Sequence, residues 1–161
     1  MAITVLAMAI GSAMIAMLGG FALSHSSEET TLAVMAAQSV ADDLSAASFG
    51  DVFARYNEDP LDDPPMGESP GLGFAVPGLD PQAGDPDGLP GRIEFPGDGF
   101  VLLEDDVERD LGMPRDLNGD DVIDSLDHAT DYRVLPVRIR VEWRGKNGDR
   151  AVELVTTLAG A

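Results

Sequence analysis

Apolar and polar positions change their pattern several times along this chain. Residues 1–24 (MAITVLAMAIGSAMIAMLGGFALS) are apolar, small or hydroxyl-bearing throughout, with no polar face. Helix-favouring sequence then resumes at once. Leu32, Met35, Ala36, Val40 and Leu44 recur at three- and four-residue spacing, with Glu28, Glu29, Gln38 and Asp42 largely off that stripe. The pattern predicts one helix of roughly 45 residues, all-round hydrophobic first and amphipathic afterwards. The half over 1–24 seeks lipid or other helices, while the half over 25–56 packs one side against a folded domain.

The pattern then breaks. Residues 57–99 hold nine of the eleven prolines and nine of the eighteen glycines, a composition that supports neither a helix nor a central strand. Leu61, Met66, Leu72, Phe74, Val76, Leu79 and Leu89 are spread singly along it, which predicts an ordered, extended wrap pinned at intervals. Short strands are expected at Arg92–Phe95 and Phe100–Leu103. Residues 100–161 close the chain with a sheet region. Val137, Ile139, Val141 and Trp143 alternate with Arg138, Arg140, Glu142 and Arg144. Asn147-Gly148 signals a hairpin turn, and Val152, Leu154 and Leu158 return along a second strand. The expected fold is α+β, with a long N-terminal helix on a C-terminal antiparallel sheet and a Pro/Gly-rich loop between them.

Charge sharpens this division. The 161 residues carry a net charge of −19, but residues 1–27 have no formally charged side chain. Residues 28–131 hold 26 acids against 4 bases, and residues 132–161 hold 3 acids against 6 bases. A surface this acidic excludes nucleic acid as a partner, because phosphate affinity needs clustered Lys and Arg. The basic strand face is expected to meet the acidic loop, within the chain or on a neighbour. With no cysteine, a disulfide framework, a thiolate metal site and a cysteine nucleophile are all ruled out. His25 and His128 have no nucleophile partner in the sequence, so the chain is not expected to be an enzyme.

At about 1.5 Å per residue, a helix over 1–24 reaches roughly 36 Å, enough to cross a bilayer core of about 30 Å. A cleaved signal peptide would want a basic leader and a shorter apolar run. A plain membrane anchor fits better, although it commonly has flanking Lys or Arg. Helix bundled with copies of itself is the third reading. Gly11, Gly19 and Gly20 serve either close helix packing or a point where the helix bends.

Residues 116–127 contain the sharpest local motif. Asp116, Asn118, Asp120, Asp124 and Asp127 occupy positions 1, 3, 5, 9 and 12 of a twelve-residue loop, with the Val122 carbonyl available at 7. This spacing wraps oxygens around a hard cation, and it predicts a structural calcium ion. Ile123 is the residue expected to pin the loop to the fold. Asp121 stands where the sharp turn usually has glycine, which places a left-handed backbone on a non-glycine residue. The loop resembles the EF-hand-like loop of dockerins. That family carries two such loops and this chain only one, which favours a structural ion over cohesin binding.

The two ends of the chain resemble the type IV pilin and pseudopilin superfamily. Val5-Leu-Ala-Met-Ala-Ile10 is similar to the family's E-V-L-V-A-M-A-I segment, and Pro136-Val-Arg-Ile-Arg-Val-Glu-Trp143 with Thr156-Thr157-Leu158 resembles the C-terminal end of minor pilins and type II secretion subunits. The resemblance implies a subunit held in the inner membrane, then drawn by an assembly machinery into an extracellular helical filament of its own copies. It implies assembly contacts through Met1, Thr4, Val5, Leu6, Ile10, Ala13, Met14, Leu18, Gly19 and Gly20. Met1 then stands at or near the mature N-terminus, and Thr4 occupies the slot where the family usually has a glutamate. The alternative is a membrane-anchored, calcium-dependent adhesion or binding module.

Overall fold

The computed structural model describes residues 26–63, 69–146 and 148–160. Helix α1 runs over 26–46, and a 3-10 turn at Phe49–Asp51 leads into the short helix α2, Val52–Tyr56. Four strands follow: β1 at Gly73–Phe74, β2 at Gly91–Glu94, β3 at Val134–Gly145 and β4 at Gly148–Ala159. They form one antiparallel sheet in the order β1-β2-β3-β4.

Alternation builds the β3–β4 hairpin. Val137, Ile139, Val141 and Trp143 are buried, and across from them lie Thr156, Leu154, Val152 and Arg150. α1 covers this face along the strand direction. At the hairpin end the Trp143 Nε1–H donates to Glu29 Oε2 at 3.2 Å, and Arg150 Nη1 donates to the hydroxyl and carbonyl of Ser26. At the other end Leu44 and Ala47 lie beside Thr157–Ala159.

The expected fold needs correction. Among the described residues there is no long N-terminal helix: helix is confined to 26–46 and Val52–Tyr56, and none is long and apolar enough to cross a membrane. α1 stops well short of residue 56 because Ser48 is extended, with φ −63° and ψ 116°. The Tyr132 hydroxyl then donates to the Phe49 carbonyl at 2.6 Å, tying the chain into the turn. The apolar half expected over 1–24, with the assembly residues Met1 to Gly20, lies outside the described residues.

The buried stripe of α1 overlaps the expected one in part. Leu44 is buried, and Ala36 and Val40 pack half-buried against the core, but Ala33 and Ala37 are buried while Met35 is 61% exposed and Leu32 40%. Small alanines let the helix axis approach the sheet and its large Trp143 ring. The wrap is pinned by Val76 and Leu79, which are buried, while Leu61 is exposed. β2 forms close to the expected strand. Phe100–Leu103 does not form one, because Leu102 is engaged by a neighbouring loop: its carbonyl accepts the His128 N–H at 2.9 Å.

Acids of this chain meet the basic face of β3. Arg138 Nη1 donates to Glu94 Oε2 at 2.9 Å, and its Nη2 lies 3.1 Å from Glu108. Arg140 reaches Glu142 at 2.8 Å and Glu153 at 3.4 Å.

Candidate metal centre

The loop over 116–127 is organised by its own carboxylates. Asp116 Oδ1 accepts the Gly119 N–H at 2.6 Å and its Oδ2 accepts the Asp121 N–H at 2.8 Å. Asn118 Oδ1 accepts the Asp120 N–H at 3.0 Å, and Asp120 Oδ1 accepts the Val122 N–H at 2.8 Å. Each acceptor takes an amide two to five residues ahead, which winds the backbone tightly around the side-chain oxygens. The turn requires Asp121 to adopt φ +68°, as the motif anticipated, and Gly119 φ +79°. Burial works to raise the Asp116 pKa, but the N–H groups of Asp121, Gly119, Asp120 and Asn118 outweigh it and hold the carboxyl below its usual range.

Ile123 departs from its expected part, and Asp127 takes one that the motif does not assign it. Ile123 is 48% exposed and does not pin the loop; the fully buried Leu117 does. The apolar side chain is drawn in at position 2 because the N–H groups there are bound from beneath. Asp127 Oδ1 accepts the N–H groups of Leu102 and Ala129, both at 3.0 Å, which staples the end of the loop to Leu102.

Glu104 provides the binding from beneath. It has no exposed surface, although nothing in its sequence context sets it apart from its acidic neighbours. Its Oε1 accepts the N–H of Leu117 at 2.6 Å and of Asn118 at 3.2 Å, and its Oε2 accepts the Asp124 N–H at 3.4 Å. A buried carboxylate is tolerated only when several donors converge on it, and these loop amides do so.

His128, just past the loop, completes the arrangement. Its Nδ1 lies 3.0 Å from Asp131 Oδ1, and its Nε2 lies 3.3 Å from Asp124 Oδ1 and 3.7 Å from Glu104 Oε2. Burial lowers the His128 pKa, but the bonds to Asp131 and Asp124 and the Glu104 charge outweigh it and raise the pKa above its ordinary value. Glu104, Asp124 and His128 form a group able to hold a metal ion, their ligand atoms all lying within 4.8 Å of one another. Of the expected ligands, only Asp124 belongs to this group. Asn118 sits nearby on the loop, its amide 3.3 Å from Asp120 Oδ2 and 3.5 Å from Asp131 Oδ2.

In comparisons with known proteins, no family model, no curated protein and no solved structure matches the chain.

Proposed function

We propose that the chain is a structural subunit of an extracellular filament, of the type IV pilus or type II secretion pseudopilus kind. It assembles with copies of itself through its uncharged N-terminal segment and carries residues 26–160 as a calcium-bearing head. The inner membrane holds the subunit before an assembly machinery moves it. One observation carries this reading: residues 1–27 have no formally charged side chain, and from residue 26 the chain is already in α1, whose Ala33 and Ala37 are buried. Such a segment is satisfied only in lipid or against other apolar helices, and its small residues suit close helix contacts. That segment and the likeness at residues 5–10 support this reading, and the overall fold does not enter it.

Calcium is the ion we assign to the loop over 116–127. Asp116, Asn118, Asp120, Asp124 and Asp127 with the Val122 carbonyl form an all-oxygen set, as a hard cation prefers. Support comes from the backbone winding around Asp116 and Asp120 and from the left-handed Asp121.

Electron microscopy of sheared surface material, labelled against the loop over 57–99, tests assembly. Label along filaments in the wild type, absent after Ala13→Glu, is the expected result. Filaments that survive Ala13→Glu would exclude the segment as their core. A membrane-anchored, calcium-dependent adhesion module is the second reading, supported by the exposed Val122, Ile123 and Leu126 on the loop. It requires label that stays in the membrane fraction.

A further inference from the structure

The arrangement around His128 has a chemistry that an oxygen-lined calcium loop does not use. The ring is 5% exposed, and Nδ1 faces Asp131 Oδ1 at 3.0 Å. An ionised carboxylate only accepts, so Nδ1 carries a proton there. Nε2 faces two more carboxylates, Asp124 Oδ1 at 3.3 Å and Glu104 Oε2 at 3.7 Å. A neutral ring in this tautomer turns a lone pair toward two anionic oxygens. Asp124 Oδ1 also accepts the Leu126 N–H at 2.7 Å and Glu104 Oε2 the Asp124 N–H at 3.4 Å, but neither amide gives Nε2 a partner, and a cation between the three atoms, either a proton or a metal ion, does.

We propose that His128 Nε2, Glu104 Oε2 and Asp124 Oδ1 form a site for a divalent transition-metal ion of the zinc class, which shares Asp124 with the calcium loop beside it and takes Glu104 and its nitrogen ligand from outside that loop. The inference goes beyond the calcium reading and does not depend on it. Ligand type is the first ground: imidazole nitrogen suits zinc-class ions, whereas calcium takes oxygen ligands. Spacing is the second. Tetrahedral bonds of about 2.0–2.1 Å set ligand atoms roughly 3.3 Å apart, and the two measured separations from Nε2 are 3.3 and 3.7 Å. The third ground is the Asp131 carboxylate on Nδ1. A carboxylate there fixes the tautomer and orientation of a metal-binding imidazole and raises its basicity. Finally, Glu104 is held in place before any ion arrives, since the amides of Leu117 and Asn118 grip its Oε1 and leave Oε2 turned to the ring. The bound ion would tie residues 102–104 to residues 124–128.

The full-length chain in mild detergent, stripped of metal, is titrated with zinc chloride by calorimetry and with cobalt(II) by visible absorption. One zinc per chain and the intense visible bands of four-coordinate cobalt(II) are expected. His128→Gln is expected to abolish both while the calcium-dependent melting shift persists. Asp131→Asn keeps an acceptor near Nδ1 but removes its charge, and is expected to weaken zinc by about 10–100-fold. Zinc binding unchanged in either variant, or absent from a wild-type chain that melts cooperatively, overturns the proposal. So does loss of both zinc and calcium responses in folded His128→Gln, because the two would then share one site. Asp116→Ala with Asp120→Ala reads the calcium assignment separately: it removes the calcium shift and leaves zinc bound.

Discussion

Glu104 Oε1 accepts the backbone N–H of Leu117 at 2.6 Å, from thirteen residues earlier in the chain. A carboxylate with no exposed surface thus supports the start of an exposed loop. Glu104→Ala leaves the Leu117 and Asn118 amides without their acceptor. Unfolding by denaturant, with chelator present, should show a loss of about 2–3 kcal/mol, the cost of orphaned buried donors on a charged acceptor. A loss below about 0.5 kcal/mol would mean that the loop amides find water instead.

The helix–sheet packing predicts an asymmetry between neighbouring positions of α1. Ala37 is 1% exposed and Met35 is 61% exposed. Ala37→Leu should overpack the interface and cost about 1–3 kcal/mol, while Met35→Lys should stay within about 0.5 kcal/mol of wild type. The reverse order in thermal melts would restore the stripe centred on Leu32 and Met35.

Trp143 reaches Glu29 across the same interface. Glu29→Ala removes the acceptor of a buried indole N–H and should cost about 1–2 kcal/mol. Trp143→Ala removes the ring as well and should cost about 3–5 kcal/mol. Equal losses in the two variants would show that packing of the ring adds nothing.

Asp121 holds φ +68° without the freedom of glycine. Asp121→Gly should raise stability in chelator by about 0.5–1 kcal/mol, by relieving the left-handed strain. It should also sharpen the calcium-dependent melting shift. A lower melting temperature in both conditions would show that the Asp121 carboxyl contributes more than the strain costs.

His128 gives the metal-free chain a pH dependence. Burial pulls its pKa down, but Asp131, Asp124 and Glu104 together raise it above the ordinary 6.5. The folded chain therefore binds this proton more tightly than the unfolded chain does. Its contribution is complete below about pH 6.5 and is lost as pH rises through the folded value. Unfolding free energies across neutral pH in chelator should fall on the alkaline side, and His128→Gln should flatten that part of the curve. An unchanged slope in the variant would assign the fall to other groups.

Periodicity and loop spacing made part of this protein legible from its sequence. Strict alternation from Val137 to Trp143 has one low-energy outcome, a strand with one face buried, and β4 returns beside it from Gly148, which pairs with Gly145. The Asp and Asn positions from 116 onward likewise dictate a local winding, because each side-chain acceptor lies within a few residues of the amide it binds. The stripe through Ala36, Val40 and Leu44 was legible, but only the tertiary structure decided that Ala33 and Ala37, rather than Leu32 and Met35, are buried beside it. Alanine and leucine both suit a helix interior, and the choice turns on how closely the sheet approaches. Tertiary structure alone also brought Glu104 beneath the loop and set it against His128. Neither residue has a local pattern to announce it. Their burial and charge balance come from segments far apart in sequence, and long-range contacts of that kind leave no periodic trace.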